Sequence, residues 1–298
     1  MKYIWLLLGM TFMGCAWQPK EANEEAVQVS VLRGPSAIAF AQWMQEKPRL
    51  EGKEIRVKIL DSPEQIQAQL IQHKTDIAVL PMITAANLYN KGVHYSLLGC
   101  PIWGTLYLVG RDSISSPVYL FGAGTTPDIL TRYYLQPQGH YTYNYTFATP
   151  REILSALSSA KVHTAVLSEP FLSVALHRDT TLQILADLNR PNGLNVPQTA
   201  ILCRQEMLPL QAVLDSLLHR TCQYANEFPM QTIRILENRK VFGREMLTPE
   251  SLRRCRIQYI PARENPEDIR RFLLLIRDFD SRALDSRLPD AHFIAQPL

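Results

Sequence analysis

The residues in this chain that could do chemistry are small, hydroxylated and placed at the ends of apolar runs. Gly34-Pro35-Ser36, Pro81-Met82-Ile83-Thr84, Gly124-Thr125-Thr126 and Ser168-Glu169-Pro170 each close a strand-like stretch, and at least two of them begin a helical pattern. A helix start offers unpaired backbone N–H groups and roughly half a positive charge, enough to hold a carboxylate, sulfonate or phosphate. The hydroxyls of Ser36, Thr84, Thr125 and Thr126 add donors beside those N–H groups. Glu169 can accept from an amine or a ring N–H, and Trp103 can stack on a flat molecule. This is recognition chemistry for a small polar heterocycle or a small anion. The competing assignment is structural: Ser and Thr at helix starts often only cap them, Glu169 can cap the helix that follows, and Trp103 can simply pack.

Catalytic signatures are mostly missing. There is no GxSxG, HExxH or GxxxxGK[ST]. Gly122-Ala-Gly124-Thr-Thr-Pro127 begins like a dinucleotide fingerprint but has Pro where the third Gly belongs. The seven histidines (73, 94, 140, 163, 177, 219 and 292) are dispersed without metal-ligand spacing, and no CxxC occurs, so neither a metal nor a cofactor is expected. A net charge of +3 over 298 residues does not advertise nucleic acid as a partner. Arg253-Arg254, Arg256 and Arg270-Arg271 are interleaved with acids and read as a solvated face. The alternating Tyr141, Tyr143, Tyr145 and Phe147 read as strand packing. With 46% apolar and 20% charged residues the chain is ordinary globular material, and a mean hydropathy of −0.10 excludes a polytopic membrane protein.

The elements that must position these residues come in two copies. Ile55–Leu80 lies ungapped on Thr142–Leu167 at a shift of 87 residues, with Ser62-Pro63 on Thr149-Pro150 and Ala78-Val79-Leu80 on Ala165-Val166-Leu167. Ile55, Val57 and Ile59 alternate with Arg56 and Lys58, the period of a strand. Ser62, Pro63 and Gln65 form a capping box ahead of the apolar helical face of Ile66, Leu70 and Ile71, and Thr149, Pro150 and Glu152 rebuild it. Ile77-Ala78-Val79-Leu80 is the continuous apolar run of a parallel strand covered on both faces. Each copy is thus βαβ, preceded by another strand and a glycine turn: Val27–Leu32 leading to Gly34, and Val118–Phe121 leading to Gly122 and Gly124. Two extended runs, Tyr95–Gly110 and Val196–Arg204, are read as the crossings between lobes. From Leu208 onward the pattern is helical, with capped starts at Thr248-Pro249-Glu250 and Asn265-Pro266-Glu267, and these helices are expected to pack on the first lobe.

The N-terminus carries an address. After Lys2, the run Tyr3–Met13 is too short to span a bilayer and fits the apolar core of an export signal. Gly14 immediately before Cys15 resembles a bacterial lipoprotein signal, although Phe12 and Met13 depart from the usual residues there. The alternative is a plain signal peptide with an incidental Cys; an otherwise unpaired thiol on an exported tether favours lipidation of Cys15. Residues 16–26 read as a polar tether. Among the remaining cysteines, Cys100 and Cys203 fall in strand-like runs and read as buried thiols, while Cys222 and Cys255 fall in helical patterns that permit a bridge.

Taken in order, Gly34-Pro35-Ser36-Ala37, Asp76-Ile-Ala-Val-Leu-Pro81, Gly104-Thr-Leu-Tyr-Leu-Val-Gly110, Gly124-Thr-Thr-Pro-Asp128 and Ala165-Val-Leu-Ser-Glu169-Pro170 resemble the solute-binding lipoproteins of ABC importers, in the nitrate, sulfonate, taurine and thiamine-precursor group. Lys161 and His163-Thr164 depart from that group's pattern, so no substrate is carried over. The resemblance implies two Rossmann-like α/β lobes joined by a two-stranded hinge, the type II periplasmic-binding fold, with the ligand cleft between them. The expected division is a signal peptide over 1–15, a tether over 16–26, lobe one over 27–105 plus 206–298, and lobe two over 106–205. The implied protein is a monomer, lipid-anchored at the periplasmic or outer cell surface, partnered by an ABC permease and a small-molecule ligand. Its ligand-binding residues would be Gly34, Pro35, Ser36, Pro81, Met82, Thr84, Trp103, Gly124, Thr125, Thr126 and Glu169. The rival implication is an enzyme on the same fold, of the menaquinone-pathway or pyrimidine-synthesis type.

Overall fold

The computed structural model describes residues 26–285 and 287–296; the signal and lipidation reading at Cys15 and most of the tether lie outside these residues. In chain order the first lobe contributes β1 (Val27–Leu32), α1 (Pro35–Ala39), α2 (Ala41–Glu46), β2 (Arg49–Leu50), β3 (Lys53–Leu60), α3 (Pro63–Ile71), β4 (Ile77–Pro81), α4 (Met82–Asn90) and β5 (Tyr95–Ile102). The second lobe follows with β6 (Leu106–Gly110), β7 (Val118–Tyr119), α5 (Thr126–Leu135), β8 (Tyr143–Asn144), α6 (Pro150–Ser158), β9 (Thr164–Ser168), α7 (Phe171–Arg178) and β10 (Gln183–Asp187). The chain then returns with β11 (Thr199–Arg204), α8 (Gln211–Glu227), α9 (Pro229–Asn238), α10 (Pro249–Arg254), β12 (Ile257–Pro261) and α11 (Pro266–Phe279).

The strands form two sheets, ordered β12-β5-β11-β4-β1-β3-β2 and β10-β6-β9-β7-β8. In each, the repeated unit is parallel: β1 pairs with β3 and β4, and β7 with β8 and β9. The strands that carry the chain between lobes, β5, β6, β10 and β11, pair antiparallel. β4 is apolar over Ile77–Leu80 because helices cover both of its faces, and all four residues are fully buried.

Local chemistry explains most boundaries. The Thr149 side chain accepts from the Glu152 N–H, and Glu152 accepts from the Thr149 N–H, the full reciprocal box at the start of α6. At α3 the box is displaced by one residue: Ser62 accepts from the Gln65 N–H, but the Gln65 side chain accepts from Asp61 N–H. The expected first helix is two pieces, broken at Phe40.

Two readings are corrected, and the bridge that the sequence left open is decided. β11 lies between β4 and β5 in the larger sheet, so the second lobe ends before Thr199 and not at residue 205. Its Ala200-Ile201-Leu202-Cys203 is buried on both sides, the signature of an interior strand. β12 interrupts the segment read as helical, and it adds an antiparallel strand outside β5. Cys100, Cys203, Cys222 and Cys255 are all free and buried, so the Cys222–Cys255 bridge is absent; burial pushes each thiol well above its ordinary value.

A candidate ligand-binding cleft between the lobes

The carboxyl ends of the parallel strands of both sheets face one another across a cleft of about 1650 Å³. α1, α4, α5 and α7 all begin on or beside its walls, so their positive ends point inward from both lobes. Gly34, Pro35, Ser36, Pro81 and Thr84 line it from the first lobe, and Gly124, Thr125, Thr126 and Glu169 from the second. The structure therefore brings together nine of the eleven residues singled out from sequence.

The other two face elsewhere. Trp103 is buried at the hinge, and its indole N–H donates to the Gln258 carbonyl at 2.8 Å, so it packs and does not stack on a cleft ligand. Met82 points fully into the apolar core, and the next residue, Ile83, takes the wall.

The hydroxyls divide into used and unused. Thr125 donates to the Gly122 carbonyl at 2.5 Å and caps nothing. Ser36 sits inside α1, whose N-cap is Gly34 at φ 128°, a conformation open to glycine. The side chains of Ser36, Thr84, Thr126, Ser168 and Thr199 line the cleft, and none has a hydrogen-bond partner among the described residues. Ser168 and Thr199 were not predicted as ligand residues; Thr199 lies on β11, directly across the strand pair from Pro81. Its place in an interior strand of the first lobe was the missing signal.

Glu169 is on the cleft wall, but its carboxylate is engaged. Its oxygens accept from the Arg254 guanidinium at 2.5 Å and from the Ser173 hydroxyl and N–H at 3.1 and 3.2 Å. Its side chain has no exposure, and burial holds its carboxyl above the ordinary glutamate range even against the pull of Arg254 and Ser173. Arg254 belongs to α10, packed against α7, so this is a bond between lobes. The residues after it extend the contact. The Arg254 carbonyl accepts from Tyr107 hydroxyl, the carbonyls of Cys255 and Arg256 accept from the N–H groups of Gly104 and Trp103, and the Arg256 guanidinium pairs with Asp187. Residues 254–256 thus brace the hinge from behind.

The hinge itself is tied by Asn189, which is fully buried. Its Oδ1 accepts from the N–H groups of Thr105 and Leu106 at 2.9 and 3.0 Å and from Gln198 Nε2 at 2.9 Å. Its Nδ2 donates to the Leu106 carbonyl at 2.9 Å and to Asp187 Oδ1 at 2.7 Å. One amide therefore joins both crossings, at Thr105–Leu106 and at residues 189–198. Sequence reasoning missed it because a single Asn in Asp187-Leu-Asn189-Arg-Pro191 reads as turn material.

No family model matches the chain, and no curated protein matches it. Solved structures do. An ABC transporter protein from Parabacteroides distasonis is 48% identical, with 92% of this chain and 99% of that chain covered and a TM-score of 0.88. The periplasmic aliphatic sulphonate binding protein SsuA from Escherichia coli is 16% identical over 92% of this chain and 93% of its own, with a TM-score of 0.73. The periplasmic nitrate-binding protein NrtA from Synechocystis PCC 6803 is 13% identical over 76% and 68%, with a TM-score of 0.56. The last two are similar in fold.

Proposed function

We propose that this chain, which belongs to the ABC-transporter family, is a solute-binding component that captures a small polar or anionic solute for import and does not convert it. The observation that supports this reading is the set of unpartnered hydroxyls from Ser36, Thr84, Thr126, Ser168 and Thr199, drawn from both lobes and flanked by helix starts. Polar groups without an internal partner keep their hydrogen-bonding capacity for something else. A cleft of about 1650 Å³ is wider than a site that buries a small molecule, which runs to roughly 300–1,000 Å³. In this reading the lobes approach by bending at the two crossings, and closure is driven by contacts that only the liganded form makes.

Residues 1–15 extend the proposal to location: Cys15 carries the lipid, and the protein works as an anchored monomer outside the cytoplasm. A Cys15→Ser variant is then expected in the soluble fraction, because the acyl chains contribute about 0.8 kcal/mol per buried CH₂. A wild-type protein already soluble after export overturns the anchor.

Native mass spectrometry of gently purified protein identifies the solute. One bound small molecule, lost in a Ser36→Ala/Thr126→Ala double variant that still folds, supports the reading. Steady conversion of that molecule overturns it.

A further inference from the structure

We propose that Glu64 and Arg151 form an ion pair across the mouth when the lobes close, a latch that the internal duplication placed on opposing lips. The proposal goes beyond solute capture but rests on the closure just described.

The shift of 87 residues that superposes the two βαβ units puts Glu64 on Arg151. Each directly follows the proline that opens its helix, Pro63 in α3 and Pro150 in α6. The sheet orders then fix where these helices lie. β3, which feeds α3, is three strands from the crossing strand β11, and β8, which precedes α6, is three strands from the crossing strand β6. Both helices therefore start far from the hinge, where a rotation about the crossings sweeps the greatest distance.

Both residues line the cleft, and neither has a hydrogen bond or an ion pair among the described residues. The neighbouring lip charges are placed differently. Asp61 is held by Arg33, which also donates to the Val241 carbonyl. Glu237 accepts from the Glu245 N–H. Lys240 and Arg244 also line the first lobe's side, and as cations they repel Arg151. Glu64 is the acid at the duplicated position, and its charge is not spent within its own lobe. An exposed pair of this kind shifts a two-state population by up to about fivefold. That is too little to close the cleft without solute and enough to prolong the closed state once solute is bound.

A cysteine trap tests the latch. Thr84→Cys and Thr125→Cys place one thiol on each wall of the cleft. The four native cysteines among the described residues are buried, and each single-cysteine variant controls for bridging to Cys15. Copper-phenanthroline oxidation without solute then captures the closed form, read as a mobility shift on a non-reducing gel. In this background Glu64→Arg and Arg151→Glu, which each set like charges face to face, are expected to slow bridging by about two- to fivefold, and the two together to restore it. The difference should fade at about 1 M salt, where the screening length is about 3 Å. Equal bridging rates in all four proteins overturn the latch and leave closure standing. If the cysteine pair never bridges, closure fails and the latch fails with it.

Discussion

At the scale of single residues, the cleft separates side chains that hold the protein together from side chains left over. Ser36 is 3% exposed, makes no side-chain hydrogen bond among the described residues and caps no helix, so its removal has little to take from the fold. Ser36→Ala should weaken solute binding by roughly tenfold to a hundredfold, the cost of about 1.5–3 kcal/mol for a hydrogen bond to a charged group, with the unliganded melting temperature nearly unchanged. Titration beside apo melts checks this, and an early-melting variant with unaltered affinity would remove Ser36 from the site. Glu169 is the opposite case. A carboxyl raised above its ordinary value of 4.5 in the fold stabilises the folded state most when protonated. Its contribution is full below that value and is lost as pH rises through the raised one. Glu169→Gln is neutral throughout and lacks this term. The melting temperature of the wild type minus that of the variant should therefore fall as pH climbs above about 4.5. A flat difference would show that Arg254 fully offsets the burial.

Elements were legible where their signals were local. The Ser62 and Thr149 caps, the alternation along β3 and the apolar β4 and β9 were all read from spacing, and the duplicated βαβ unit followed from them. One such signal can be weighed: Thr149→Ala removes half of a complete reciprocal box and should cost about 1 kcal/mol in urea melts, more than Ser62→Ala, where the Gln65 side chain bonds the Asp61 N–H and no reciprocal bond reaches Ser62. What stayed hidden was long-range. β12 is five residues, Ile257–Pro261, between α10 and α11, and only its pairing with β5 makes it a strand. The cleft residues at strand ends were recovered because strand polarity puts them there. Trp103 and Met82 were misplaced because pattern alone does not tell which way a side chain turns at a corner. The Arg254 partner of Glu169 lies 85 residues away in sequence, beyond any spacing argument. Gly104 belongs to the same hidden layer. A Cβ there would meet the Arg256 side chain at 2.7 Å and the Arg254 carbonyl at 3.0 Å, so the brace fits only against glycine.

Across the whole molecule, the lobes are joined on one side and open on the other. A single apolar cluster runs from Leu80 and Phe272 in the first lobe, through Leu106, Leu188 and Val196 at the crossings, to Leu120 and Ile129 in the second. Arg132 adds a second tie, pairing with Asp128 on its own helix and with Asp280 at the end of α11. Lobes sharing a core cannot slide past one another without exposing it, so movement is confined to bending at the crossings that Asn189 holds together. Two consequences can be measured. Unfolding followed by calorimetry should show one transition, since one large apolar cluster is common to both lobes; two resolved transitions would mean that the shared cluster contributes little. Asn189→Ala strips the acceptor from two buried N–H groups, at about 1–3 kcal/mol each, and should lower that transition by several degrees. The variant also unties the crossings from each other, so small-angle scattering without solute should give a larger radius of gyration than the wild type. Asn189→Ala protein that melts early but keeps the wild-type radius would assign the amide to stability alone and place the pivot in the 254–256 brace.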